Sequence, residues 1–189
     1  MSLPKLILAS RSPRRAEILR AVGWEFESAP ADIDESVLHK EDATTYVRRL
    51  ALTKAQVVAH KVKSGLVLGA DTTVVIDGQI LGQPIDDDDA RRMLNLLNGK
   101  SHEVITGVAL LPAEAIDQSV VSHEMTRVRF AQMSAGEIDW YVSTGEPRGK
   151  AGAYGIQGHA GLFVEEIAGD YFNIVGLPVR LVYKLWCRL

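Results

Sequence analysis

Short apolar or β-branched runs alternate along this chain with longer stretches of helical period, and that alternation leaves few architectures other than α/β. Lys5 to Ala9 reads as a buried strand, and Ser12-Pro13 then supplies a cap and a first-turn proline for a helix that runs to about Val22 and stops at Gly23. Ala16, Leu19 and Ile18 are its inward positions. A second helix is expected from Asp42 to about Val62, with Val47, Leu50, Ala51, Ala55 and Val58 forming one apolar stripe and Lys54 on its edge. Leu66 to Ala70 is a buried strand ending at Asp71, and Val74–Ile76 with Gln79–Leu81 forms a hairpin around Asp77-Gly78.

A third helix, Asp87 to Leu97, is closed by Asn98-Gly99. Strands follow at His102–Leu111 and Glu124–Phe130, then a capping box, Ser134 with Glu137, opens a short helix to about Val142. A glycine-rich loop spans Gly149 to Gly161, Leu162 to Ile167 reads as a strand, and Pro178 opens the last helix. The fold class is therefore α/β, a mixed twisted sheet with flanking helices. No linker or repeat marks a boundary, so residues 1–189 are expected to form one domain.

The 189 residues are 47% hydrophobic and carry a formal net charge of −3, a balance that supports a packed core and excludes the broad positive field of a nucleic-acid polymer binder. The single cysteine, Cys187, has no internal partner, which makes the cytoplasm the expected compartment. The N-terminal apolar run is too short for a secretion signal, and no stretch approaches the about 20 apolar residues of a membrane span.

Three constellations carry candidate chemistry. In LASRSPRR (8–15), a strand runs into a helix N-terminus beside two hydroxyls and several guanidinium groups, which describes either an anion site or a helix cap flanked by solvated arginines. In GADTTVV (69–75), Asp71 stands where clefts of α/β sheets open and can hold a divalent cation, accept a proton from water, or cap a turn. Its candidate partners are Asp32, Asp34 and Glu35, hard oxygen ligands suited to Mg²⁺ or Mn²⁺ if they are not simply solvated. In KAGAYGIQG (150–158), small residues allow close backbone approach to a ligand, and the Gln157 amide offers the donor and acceptor that match a uracil or thymine edge; a flexible surface loop is the plainer reading.

Other features carry no chemistry. The acidic run Asp86–Asp89 suits a helix start, the five histidines lack metal spacing, and Trp24, Trp140 and Trp186 read as core or interface anchors. Walker A, GxGxxG and GxSxG signatures are absent.

Taken in order, these three motifs together with DIDES (32–36), KAQ (54–56), DGQILGQP (77–84), MLNLLNGKSHEVITGVAL (93–110) and NIVGLP (173–178) resemble the Maf family of nucleoside triphosphate pyrophosphatases over nearly the whole chain. The resemblance implies two lobes around a central cleft, like inosine triphosphate pyrophosphatases, and hydrolysis of a nucleoside triphosphate to monophosphate and pyrophosphate with a divalent cation. It implies Asp71 as the proton acceptor for the attacking water, and Ser10, Arg15 and Lys54 as phosphate contacts. Arg14, Thr72 and Gln157 match positions implicated in substrate choice, and Glu35 a metal or water-positioning carboxylate.

GADT and YGIQG resemble the subgroup acting on dTTP and UTP, whereas a 7-methyl-GTP subgroup carries GSDQ. Two positions depart from the family pattern: Gln83 stands where a lysine is usual, and Gly149 where an aspartate is usual. The lost charge at Gln83 favours a second reading, a nucleotide-binding regulator of cell division with little turnover. A homodimer is expected from its frequency among oligomers and from the resemblance.

Overall fold

The computed structural model describes residues 3–189; Met1 and Ser2, where the N-terminal run begins, lie outside them. Seven strands form one mixed sheet in the order β2-β1-β3-β5-β6-β7, with β4 paired to β3. They are β1 (Leu6–Leu8), β2 (Phe26–Ser28), β3 (Leu66–Ile76), β4 (Gln79–Leu81), β5 (Ser101–Pro112), β6 (Val120–Phe130) and β7 (Val164–Ala168). The helices are α1 (Pro13–Ala21), α2 (Ala43–Ala59), α3 (Asp87–Leu97), α4 (Ala135–Ser143), α5 (Tyr171–Val175) and α6 (Val179–Trp186). β1 pairs in parallel with β2 and β3, while β3–β4 and β6–β7 are antiparallel. Among the described residues, no helix is long and apolar enough to cross a membrane.

Several elements follow from local chemistry as expected. Asp42 caps α2 by accepting from the N–H groups of Thr44 at 2.9 Å and Thr45 at 3.0 Å. Ser134 and Glu137 form both halves of their capping box. Asp77 and Gly78 take positive φ in the hairpin turn, as a primed turn requires. The acidic run starts α3: Asp86 caps it, and Asp88 and Asp89 pair with Arg91 and Arg92.

Two expected strand boundaries need correction. β3 does not end at Asp71 but continues to Ile76, because the β-branched run Thr72-Thr73-Val74-Val75 extends the strand. Residues His159–Phe163 form a 3₁₀ turn, so β7 begins at Val164 and not at Leu162. β2 and α5 are short elements that carry no periodic signal in the sequence. Of the two readings given for Trp140, core or interface anchor, its 44% exposure leaves only the second; its ring lies edge-on to His159 at 5.4 Å. Trp24 is a core anchor: it is buried, donates from Nε1 to the Pro4 carbonyl at 2.8 Å and meets Trp186 edge-on.

The chain divides into two compact units. The first comprises the chain up to Asp71, Thr106–Glu124 and Gly176–Leu189. Its core includes Ala51, Ala55, Val58, Val67, Ala109 and Leu111. Here α2 lies so close to the sheet that a Cβ on Gly69 would overlap the Ala51 carbonyl, and one on Gly107 the Val47 carbonyl.

The second unit is Thr72–Ile105 with Met125–Val175. Its core centres on Leu94, Leu97, Phe130, Tyr141 and Tyr154. His102 is buried in it, edge-on to Phe130 at 5.0 Å and to Tyr154 at 5.4 Å. Its Nε2 lies 2.8 Å from the Tyr154 hydroxyl, and Nδ1 has no hydrogen-bond partner among the described residues.

Burial lowers the His102 pKa from 6.5 to about 4. A histidine with a depressed native pKa contributes stability above its unfolded value, and that contribution is lost as pH falls toward the native one. Acid titration from pH 6.5 to 4 should therefore remove on the order of 3 kcal/mol through this group. His102→Phe should flatten that limb of the stability curve, as measured by denaturant unfolding; an unchanged pH slope would contradict a neutral buried imidazole.

Candidate active site

The close seat of α2 on β3 decides where the first ionisable cluster forms. Gly69 admits the helix backbone at Ala51; two residues further along the strand Asp71 faces the same side, and one turn further along the helix stands Lys54. The Lys54 ammonium donates to Asp71 Oδ1 at 2.6 Å and lies 2.6 Å from Glu35 Oε1. Lys54 and Asp71 are buried, whereas the Glu35 side chain is half-exposed.

Burial pushes the Asp71 carboxyl above the usual carboxylate range, against the opposing pull of Lys54 and Arg15, so this group holds a proton more readily than a surface aspartate. Burial lowers the Arg15 pKa, against the pull of Asp71, and the guanidinium remains charged.

Arg15 is also fixed by geometry. Its Nε donates to the Gly176 carbonyl at 2.8 Å and one terminal nitrogen donates to Ser10 Oγ at 3.0 Å. At the start of α1, Pro13 has no N–H, Ser12 N–H donates to Ser10 Oγ, and Arg15 N–H donates to Ser12 Oγ. These bonds occupy part of the backbone array that an anion would use, which leaves guanidinium charge as the stronger attraction. Arg14 is half-exposed on the same helix.

Glu35 reaches Lys54 from the loop before α2, and two residues missed in the sequence hold that loop. The Tyr46 hydroxyl donates to the Glu35 carbonyl at 2.9 Å. Arg49 pairs with Glu41 at 2.6 Å and donates to the Ser36 carbonyl at 3.0 Å. Tyr46 is pushed up to about 12 by burial first and then by the charges of Asp71 and Glu35, so its hydroxyl stays protonated as a donor. Of the other loop acids, Asp32 is exposed and Asp34 accepts from the Ser36 N–H in a local turn.

The first unit thus brings together Ser10, Arg15, Glu35, Lys54 and Asp71. Thr72 and Gln157 belong to the second unit, Thr72 half-buried on β3 and Gln157 exposed in the glycine-rich loop. Gln83 is exposed after β4, and Gly149 takes φ 69°, a left-handed conformation that glycine adopts without strain.

No group of three or more His, Cys, Asp or Glu side chains among the described residues is arranged to hold a metal ion. Two carboxylates meeting at one ammonium nevertheless fit a divalent ion of the Mg²⁺ type, which binds through one or two carboxylates plus substrate phosphates. Each carboxylate has about four acceptor positions, and Lys54 uses one on each.

Comparison with known proteins gives consistent likenesses. The chain is 51% identical over 183 residues to the dTTP/UTP pyrophosphatase of Symbiobacterium thermophilum, covering 97% of this chain and 93% of that one. It is 53% identical over 178 residues to the dTTP/UTP pyrophosphatase of Hahella chejuensis, covering 93% and 87%. A HAM1 protein structure from Coxiella burnetii matches with a TM-score of 0.52 at 18% identity, over 69% of this chain and 75% of that one, a likeness of fold alone. The family model described as Maf-like protein matches residues 5–189, nearly everything from β1 to the C-terminus, and the chain belongs to that family.

Proposed function

We infer that this chain is a nucleoside triphosphate pyrophosphatase that hydrolyses dTTP and UTP to the monophosphate and pyrophosphate, a nucleotide-pool housekeeping activity. The observation that carries this reading is a buried carboxylate of raised pKa, Asp71, held by Lys54 beside Arg15, in a chain about half identical to relatives with that activity.

Asp71 accepts a proton from water as the water oxygen bonds to phosphorus, and the α–β anhydride bond breaks with the electron pair leaving on pyrophosphate. Lys54 orients Asp71 and keeps a population of it ionised in spite of burial. Arg15, with Ser10 fixed on it, and Arg14 on the next position of α1 supply positive charge and hydroxyl contact to phosphate oxygens. A Mg²⁺ or Mn²⁺ ion held by Glu35 and Asp71 supplies charge neutralisation at those oxygens when bound. Thr72 and Gln157 act in substrate choice, the Gln157 amide pairing with O4 and N3–H of thymine or uracil.

Gln157→Ala tests the base-reading role. Loss of one paired amide should lower the kcat/KM ratio of dTTP to CTP by about tenfold or more, mainly through KM. An unchanged ratio with a lower overall rate would contradict it. The panel should include 7-methyl-GTP, because release from that nucleotide alone would keep the enzyme and overturn the subgroup.

A further inference from the structure

The glycine-rich loop that carries Gln157 is held from beneath by one residue that the sequence did not reveal. Glu146 lies in the turn after α4, and its side chain is largely buried, 15% exposed. Its Oε2 accepts from the His159 N–H at 2.9 Å and lies 2.8 Å from His159 Nδ1. Its Oε1 accepts from the Tyr141 hydroxyl at 2.9 Å and from the Ala160 N–H at 3.5 Å. The Glu146 main-chain carbonyl accepts from Lys150 Nζ at the other end of the loop. Between these ends, the Gly155 N–H donates to the Tyr141 oxygen at 3.3 Å.

One loop glycine abuts this residue directly, and a second abuts the Lys150 side chain that reaches it. A Cβ on Gly158 would overlap the Glu146 carboxylate, and one on Gly155 would come within 2.6 Å of the Lys150 side chain. Gly152 and Ala153 both take left-handed φ, 66° and 60°, a costly conformation for alanine that surrounding bonds must sustain. Burial tends to raise the Glu146 carboxyl, and the bonds from His159, Tyr141 and Ala160 outweigh it, so the group stays below the usual range and is an anion at neutral pH.

We propose that Glu146 is the positioning residue of the base-reading loop: its carboxylate and carbonyl tie residues 150, 159 and 160 to one turn and so fix the backbone that presents Gln157. It touches no substrate and acts through the loop. A plain packing role would be met by any group that fills the space. Here a carboxylate accepts from α4 through Tyr141 and from the loop's exit through His159 and Ala160, which makes the loop's order depend on an acceptor of this length and charge. The inference rests on Gln157 reading the base and deepens that reading.

Glu146→Gln keeps the shape but replaces one acceptor oxygen with a donor facing N–H or O–H groups. Amide hydrogen exchange in the nucleotide-free protein should accelerate about tenfold or more at residues 155–160, the cost of one charge-assisted bond, with core amides of β3 and β5 unchanged. The dTTP-to-CTP ratio of kcat/KM should fall about tenfold, through KM rather than kcat. Tyr141→Phe should move both readouts the same way by less, and the double variant should be less than additive. Tyr141→Phe also serves alone if Glu146→Gln does not fold. Unchanged exchange would overturn the proposal, and so would a loosened loop with unchanged selectivity. Gln157→Ala, run in parallel, separates the two failures: if it leaves selectivity intact, base reading itself is wrong, and the selectivity role of Glu146 falls with it.

Discussion

Asp71→Asn is expected to lower pyrophosphate release by about 10²- to 10⁴-fold, the usual contribution of a positioned general base, and to leave the fold intact. The amide matches the carboxylate in shape and still accepts from Lys54 through its oxygen, so the buried contact at 2.6 Å is weakened and not abolished. What would disappear is the group proposed to take the water's proton. Steady-state release at saturating dTTP, beside a thermal unfolding curve of the same sample, separates chemistry from stability. Near-wild-type turnover in a folded variant would mean that the proton goes elsewhere.

Lys54→Met acts on the same pair from the other side and should cost far more stability. Removing one partner of a buried ion pair leaves an uncompensated charge and typically costs about 3–5 kcal/mol, which in a chain of this size lowers Tm by about 10 °C. The penalty has a definite pH dependence. A carboxyl whose native pKa lies above its unfolded value binds its proton more tightly when folded; the stability it contributes is complete below the unfolded value, near 3.8, and is lost as pH rises through the native one. Without Lys54 the native value rises further, so Lys54→Met should differ little from wild type near pH 4 and most at pH 8. Lys54→Met with Asp71→Asn should recover most of the loss, since the buried ammonium and carboxylate are then both gone and Arg15 keeps Ser10 and the Gly176 carbonyl. A pH-independent loss, or no recovery in the double variant, would contradict the pairing. Activity should fall in Lys54→Met as well, because Asp71 is then protonated over more of the working range.

The legible parts of this molecule were those written in local chemistry. The stripe Val47, Leu50, Ala51, Ala55, Val58 set α2, and Asp42, Ser134 and Asp77-Gly78 set their caps and turn. The helical period places Lys54 at the edge of that stripe, yet with α2 seated closely on the sheet at Gly69 and Gly107 the side chain is buried. No periodicity encodes that depth, because it depends on strands far along the chain. A carboxylate that breaks an apolar run marks a strand end at Asp71, although the β-branched residues after it carry the strand onward. The three-residue β2 exists through its pairing with β1, a long-range interaction that its own sequence does not announce.

The site followed the same rule. Residue types pointed to Arg15 and Asp71 and the family resemblance to Ser10 and Lys54, whereas the residues that brace the surrounding loops, Tyr46 and Arg49 on the Glu35 loop and Glu146 under the glycine-rich loop, emerge only from contacts. A glycine-rich run reads as permissive backbone, but which acceptor disciplines it is decided by the folded turn. The phenol at position 46, one residue before the stripe begins at Val47, was the signal available for the Glu35 loop.

The most direct test is product analysis with the purified chain, dTTP and Mg²⁺ or Mn²⁺, with EDTA as the control. Thymidine monophosphate and pyrophosphate in equal amounts, released only with the divalent ion, is the expected result. Diphosphate with inorganic phosphate would place the cut at the wrong anhydride, and tight nucleotide binding with no release at all would contradict an enzyme and favour a nucleotide-binding regulator.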